Sequence, residues 1–403
     1  MQKGAFFALL LLLAAALYLR LHYVLEALYP PLEWDQLEYT KTAIQLIERG
    51  IYAYRDTQSN SLVTPGWPLI LAAVFSITGY EPIESALMVV RVLNCFIALG
   101  AIVFIYLIGS RLLHPITGLL AGGFAAVYPS YVWSTSLILT EVPFLTAFTG
   151  MLYLQVKIIQ ENKRRDHLWM GLLLGICVLI RPNSLPMAVV PYIFLWMEHK
   201  RIDWKHAVWA AAAFSLILLP WWIRNVITFH EFIFIAKGEA GNPFLGGTDP
   251  YFRGTIDWNR IDPDHQFAAG VKRIREGISS DPLLWIKWMT VGKLFIFFKT
   301  MWVGPYPFSI PAWYADVLAK LHTYVISLGV LSFIVFSFRN RSVRYLTCGF
   351  LVFLSVHMVF IPVDRYLYGM LPFLMLGTAY LLTQVLFMIR SVWTTSLLQR
   401  KGI

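Results

Sequence analysis

The sequence predicts an all-α polytopic membrane protein, a bundle of about ten transmembrane helices with amphipathic juxtamembrane helices in its first external loop. Three observations predict it. The 403-residue chain is 58% hydrophobic and only 14% charged, where soluble domains run to about 45–50% and about 25%. Apolar runs recur along it at close to the roughly 20 residues that a spanning helix needs. Basic residues gather in the short turns between alternate runs, as the positive-inside rule requires of cytoplasmic loops.

The spans fall near Gly4–Leu28, Glu84–Ser110, Ile116–Leu137, Val142–Ile159, Leu168–Ile180, Leu185–Met197, Ala207–Ile223, Val317–Phe338, Tyr345–Ile361 and Tyr366–Ile389. The first resembles a signal peptide, but no small-residue cleavage site follows, so it reads as an uncleaved helix. Lys3, Arg111, Lys163-Arg164-Arg165, Lys200-Arg201, Lys205, Arg339, Arg341, Arg344, Arg390, Arg400 and Lys401 all fall on one side of this arrangement. That side is cytoplasmic, and both termini lie there. Residues 1–403 read as a single domain with no separate soluble C-terminal domain. Two external loops stand out, residues 29–83 and residues 224–316.

Charge and cysteine usage exclude other classes. The net charge of +10 is dispersed among turns between apolar runs, which leaves no nucleic-acid-binding surface and points to membrane lipids instead. Cys95, Cys177 and Cys348 sit in apolar runs without metal-ligand spacing and read as core residues. The histidines show no paired spacing. No cofactor is required, and a divalent metal is left open.

The first external loop opens with YPPLEWDQLEY. Pro30-Pro31 stop the preceding helix. An amphipathic helix follows, with Asp35, Glu38, Thr42, Gln45 and Arg49 as its polar stripe and Leu37, Ile44, Ile47 and Ile51 as its apolar stripe. Asp35 has two compatible readings. It is placed to act as an N-cap, with Glu38 completing a capping box, and it is a carboxylate at the lip of a membrane cavity, suited to accept a proton. Two further apolar runs, Trp67–Thr78 and Lys287–Trp302, are too short or too charged to span. They read as interfacial or re-entrant helices, with Trp67, Trp285, Trp288 and Trp302 at headgroup level.

Glu141 (LTEVPF) is a second acid at an external turn; helix capping and a share in the reaction are both open to it. Arg181 (LIRPNS), Arg224 (PWWIRN) and Arg365 (VDRYLYGMLP) each end an apolar run on the external side. Snorkelling explains any one of them. Three together, against the positive-inside bias, suit recognition of a phosphate by paired charge-assisted hydrogen bonds. Carboxylate and arginines at an outer-leaflet cavity point to a lipid-phosphate leaving group and an attacking nucleophile.

These motifs resemble a known family. WDQLEY, TPGWPLILAAVFSITG, ESALMVVRVLN, LTEVPF, GLLLGICVLIRPN, LPWWIRN, EAGNPFLGGTDP and RYLYGMLP are similar, in order and spacing over nearly the whole chain, to the GT-C superfamily of polyprenyl-phosphate-sugar-dependent glycosyltransferases. The similar branch holds protein O-mannosyltransferases and the lipid A aminoarabinose transferase. The resemblance implies a GT-C-like bundle in a cell inner (plasma) membrane, with its active site facing the periplasm or exterior. It makes Asp35 the essential aspartate of the first external loop, Glu141 the acid of the next external turn, and Arg181 the basic residue beside the donor phosphate. Arg224 and Arg365 are further phosphate candidates, and Tyr39, Trp67, Asn242 and Tyr366 are expected to contact substrate. The chain departs from several relatives in carrying Gln36 where they carry Glu.

The implied reaction moves one sugar from a polyprenyl-phosphate donor to a hydroxyl of a lipid, glycan or protein acceptor. A single displacement oriented by Asp35 inverts the anomeric centre. Two rivals stand beside it. A lipid-linked sugar transporter or flippase would place its polar groups at the membrane midplane on broken helices, whereas here they cluster at span ends. An O-antigen-type ligase or polymerase would use a lipid-diphosphate glycan instead.

Overall fold

A computed structural model describes residues 3–200, 203–237, 241–262, 265–304 and 311–400. Among these residues the fold is helical throughout, without a strand. In chain order the helices are α1 (Lys3–Glu26), α2 (Trp34–Arg49), α3 (Gly66–Thr78), α4 (Ile83–Leu112), α5 (Pro115–Val127), α6 (Pro129–Trp133), α7 (Glu141–Glu161), α8 (Arg164–Ile180) and α9 (Val190–His199). They continue as α10 (Trp204–Phe229), α11 (Gly241–Gly246), α12 (Gln266–Ser280), α13 (Pro282–Lys287), α14 (Lys293–Lys299), α15 (Ala312–Phe336), α16 (Arg341–Met358) and α17 (Leu371–Arg400). The protein is a multi-pass membrane protein.

About ten spans are expected from sequence; six described helices, α1, α4, α7, α10, α15 and α17, are long and apolar enough to cross a bilayer unaided. Of the four other expected spans, two are broken at prolines. The expected span Ile116–Leu137 is interrupted where Tyr128 turns extended before Pro129. The expected span Leu185–Met197 begins as a 3-10 segment over Pro182–Val189, and proline in a helix interior removes an amide donor. The final span starts at Leu371, because Asp364–Gly369 is a separate 3-10 turn.

One apolar core joins α4, α5, α7, α8, α9, α16 and α17 through residues such as Ile105, Phe148, Cys177, Phe353 and Phe373. With no water between helices, close approach supplies the attraction. Gly171 of α8 illustrates it, since a Cβ there would stand 2.1 Å from the Ala210 carbonyl oxygen of α10. A second, smaller cluster wedges α2 and α3 against α4 through Ala43, Trp67, Leu71, Phe75 and Val90. Gly66, at the start of α3, lies against the Leu179 carbonyl near the end of α8. The segment carrying α2 and α3 is therefore packed onto the bundle beside the residue that follows α8, Arg181.

Buried polar side chains hold the segment leading into α7. Arg20 of α1 donates to the carbonyls of Ala125 (3.0 Å) and Ala126 (2.8 Å), capping α5 where its carbonyls lack helical partners. Arg91 of α4 donates through Nε to the Ser136 carbonyl at 3.0 Å, and Asn94 donates to that of Leu137 at 3.2 Å. From the other side, Trp67 donates its indole N–H to the Ile138 carbonyl at 3.2 Å, while the Ile138 amide donates to Gln36 Oε1 at 2.9 Å. Four side chains from three helices thus fix residues 136–138, two positions before Thr140-Glu141.

The expected interfacial run Lys287–Trp302 is two short helices joined by a π turn over Trp288–Gly292. Lys293 is not left facing lipid. It is fully buried and donates to the carbonyls of Met358 (2.9 Å) and Phe360 (3.0 Å).

Candidate active site

α2 starts after Glu33, the N-cap, which makes no side-chain capping bond. This corrects the capping-box expectation: Asp35 lies inside the helix, and Glu38 pairs with Lys41 (3.1 Å) instead of reaching back. The polar stripe is also less exposed than its pattern suggests. Thr42 is buried and donates to the Ala53 carbonyl at 2.9 Å, because residues 51–61 fold back over the helix.

The Asp35 carboxylate, released from capping, has three partners. Tyr54 donates its hydroxyl to Oδ1 at 2.9 Å. Arg365 donates Nη1 to Oδ2 at 3.1 Å. Arg55 Nη2 stands 3.5 Å from Oδ1. Glu141, the first residue of α7, lies deeper and is ion-paired with both Arg181 and Arg365. Arg181 also donates Nε to Thr140 Oγ1 at 2.7 Å. Four residues marked from sequence, Asp35, Glu141, Arg181 and Arg365, therefore form one chain of charges drawn from α2, α7, the end of α8 and the turn before α17.

Burial grades the cluster. The Glu141 side chain is 1% exposed, Arg181 14%, Arg365 24% and Asp35 33%. Buried carboxylates need charged or hydrogen-bonding partners, and two guanidiniums supply them to Glu141. Asp35 is the most exposed of the four. Two carboxylates (Asp35, Glu141) face three guanidiniums (Arg55, Arg181, Arg365), which leaves one net positive charge.

Tyrosines surround the carboxylate. The Tyr39 ring packs 5.4 Å from that of Tyr54. Burial, reinforced by the nearby Asp35 charge, pushes the Tyr39 hydroxyl up to about 12, so it is a neutral donor at physiological pH. Burial likewise raises Tyr54, again with Asp35 acting in the same direction. Tyr366 is half-buried beside His357, ring centroids 5.5 Å apart, and burial raises its hydroxyl too. Trp302 stacks near the Arg365 guanidinium, 5.7 Å from ring centroid to Cζ.

Other sequence candidates lie elsewhere. Arg224 uses Nη1 and Nη2 on the carbonyls of Asn60 (2.9 Å) and Tyr52 (3.0 Å) and on Asn225 Oδ1 (2.9 Å). Among the described residues no ion pair joins it to the cluster. It borders an apolar cavity of ≈ 280 Å³ with Tyr52, Leu69, Leu179 and Trp221. Trp67 is buried to 1% exposure and engaged with Ile138, so it packs the loop instead of presenting a surface. The Asn242 side chain lies outside the described residues. Sequence reading passed over Tyr54, Arg55 and Thr140, and marked Gln36 only as a departure from the family pattern. The YAYRD run just after the helix is the signal that could have found the first two.

Asp35 and Glu141 are each engaged with arginine, and among the described residues no three His, Cys, Asp or Glu side chains come together as a ligand set.

Residues 63–223, about two fifths of the chain, match the family model for dolichyl-phosphate-mannose-protein mannosyltransferase. No curated protein matches the sequence. Among solved structures, the oligosaccharyltransferase of Archaeoglobus fulgidus in its apo form aligns with 98% of this chain and 52% of its own, at a TM-score of 0.61 and 12% identity. The same archaeal enzyme, AglB, in complex with an inhibitory peptide and a dolichol-phosphate aligns over 98% and 52% at 0.58 and 11%. ArnT from Cupriavidus metallidurans bound to undecaprenyl phosphate aligns over 92% and 77%, at 0.44 and 13%. The chain spans about half the length of the archaeal enzyme. The likeness is one of fold: the helical architecture of this chain aligns with that of the archaeal oligosaccharyltransferase over nearly all of its length.

Proposed function

We propose that the protein is an integral-membrane glycosyltransferase that moves a single sugar from a polyprenyl-phosphate donor to an acceptor hydroxyl at the external face of the membrane. The observation that carries this reading is the Asp35 carboxylate. It is one-third exposed, gripped by Tyr54 and Arg365, and set beside a cluster with one surplus positive charge. The mannosyltransferase family match over residues 63–223 agrees with a monophosphate-linked sugar donor.

In this reading Asp35 accepts a hydrogen bond from the acceptor hydroxyl and takes its proton as the oxygen attacks the anomeric carbon. The carbon–oxygen bond to the phosphate breaks in the same step, and its electron pair stays on the departing lipid phosphate. Attack opposite the leaving group inverts the anomeric centre. Arg55, Arg181 and Arg365 provide preorganised positive charge for the phosphate. The apolar cavity between Leu69, Leu179 and Trp221 suits isoprenoid units of the donor tail. Arg224, its donors already engaged, serves the walls of that cavity instead of the phosphate. The acceptor is a lipid, a glycan or a protein.

The test is direct. Purified protein is incubated with a panel of polyprenyl-phosphate sugars and a membrane extract, and products are identified by mass gain. One added sugar, absent with the Asp35→Asn variant, is the expected result. Transfer only of an oligosaccharide from a lipid diphosphate, or movement of lipid-linked sugar across vesicles without bond formation, would overturn the proposal.

A further inference from the structure

Lys293 is a fully buried ammonium outside the cluster just described. Its Nζ donates to the Met358 and Phe360 carbonyls at 2.9 and 3.0 Å, and the Trp288 ring lies 5.9 Å away. Among the described residues no carboxylate pairs with it. Met358 is the last residue of α16, so the lysine sits where unsatisfied carbonyls concentrate partial negative charge.

The same turn is gripped from a second side. The Ile361 amide donates to the Pro243 carbonyl at 2.8 Å. Gly247 packs so closely on Phe360 that a Cβ there would lie 2.7 Å from its carbonyl carbon, and Trp288 ties the two sides together by donating to the Gly247 carbonyl at 2.9 Å. Further on, Thr300 meets Asp364 (3.4 Å) and Trp302 faces Arg365. Residues 243–247 and 288–302 thus clasp residues 358–365.

Only four residues separate Phe360 from Arg365, and Pro362 among them restricts both its own φ and the conformation of Ile361. Displacing Phe360 must therefore displace the arginine that bridges Asp35 and Glu141. We propose that Lys293 is a positioning residue for that bridge: by capping α16 from the external loop, it couples docking of the loop to the reach of Arg365. The inference rests on the functional reading above, because the bridge matters to catalysis only if Asp35 reacts.

The test compares wild type, Lys293→Met, Arg365→Lys and the double variant. Hydrogen exchange and steady-state transfer with a polyprenyl-phosphate sugar are measured for each. Exchange in residues 358–366 should rise in Lys293→Met while that of α4 and α7 is unchanged. The turnover number should fall by about 10–100-fold, as misplacement of a catalytic group does, with little change in donor KM. The double variant should be no slower than Arg365→Lys, since both changes remove the same contact. Losses that multiply, or unchanged exchange in 358–366, would overturn the proposal. If Lys293→Met does not fold, Trp288→Phe, which removes the indole bond to Gly247 and shrinks the buried ring beside Lys293, loosens the same clasp and is held to the same outcomes. An absence of transfer in the wild type would count against the proposed function, while the exchange data would still decide whether Lys293 holds the turn.

Discussion

Arg365 and Asp35 are 330 positions apart and meet at 3.1 Å between Nη1 and Oδ2. The same guanidinium pairs through Nε with Glu141, so one side chain spans an exposed and a buried carboxylate. Forked donors make arginine suited to this bridge, where lysine would offer a single point of charge. The consequence is an Asp35 carboxylate held in one place by Arg365 and Tyr54.

Asp35→Asn keeps the shape and can still accept from Tyr54, but it cannot take a proton at neutral pH. Transfer should fall by about 10²–10⁴-fold, the usual contribution of a positioned acid or base, with the melting temperature nearly unchanged. Full activity in this variant would remove Asp35 from the reaction.

Tyr54→Phe deletes one bond to the same carboxylate and nothing else. A hydrogen bond to a charged group is typically worth about 1.5–3 kcal/mol, so at least a tenfold fall in transfer is expected. Combined with Asp35→Asn the second loss should largely vanish, which a double-mutant cycle would show.

Glu141→Gln should act on stability more than Asp35→Asn does. It leaves Arg181 and Arg365 without their shared buried counter-charge, and breaking a buried pair in this way costs about 3–5 kcal/mol. Thermal unfolding in detergent should show the larger shift at Glu141, although Asp35 is the exposed member.

Arg224→Met should loosen residues 51–61, because the lost donors hold the Tyr52 and Asn60 carbonyls. Limited proteolysis near Asp56 should accelerate. Transfer should suffer less than in Arg365→Lys, since Arg224 touches the loop and not the carboxylates.

The pH dependence of Lys293 has a definite sign. Burial lowers its ammonium from 10.5 to about 8 in the folded protein. Between about pH 8 and about pH 10.5 the unfolded chain therefore holds more protons at this site than the folded chain. Its contribution to stability rises with pH through that window. The difference in unfolding temperature between wild type and Lys293→Met should shift in favour of wild type across it; a flat difference would refute the shift.

Much of the site was legible because charge is rare in an apolar chain. Asp35, Glu141, Arg181 and Arg365 stood out at span ends, and all four prove to touch. Arg224 stood out for the same reason and Trp67 as an aromatic at headgroup level, yet they are engaged in loop anchorage and packing. Composition marks a polar or aromatic side chain without saying which carbonyl it will meet. Tyr54 and Arg55 escaped notice because the YAYRD run, a polar and aromatic signal in itself, carries no sign that residues 51–61 fold back onto α2. The capping-box pattern was locally sound and was overridden when Asp35 found stronger, charged partners.

By itself, then, the sequence determined the membrane class, the alternation of apolar spans and the identity of the charged residues, since hydropathy and charge are properties of segments about 20 residues long. Only the tertiary structure decided which charges pair, that prolines break two expected spans, and that Arg365 joins two carboxylates from distant helices. Those are contacts between residues far apart in the chain. They depend on how Arg20, Arg91, Asn94 and Lys293 cap buried carbonyls, where an unpartnered polar group in an apolar interior is costly.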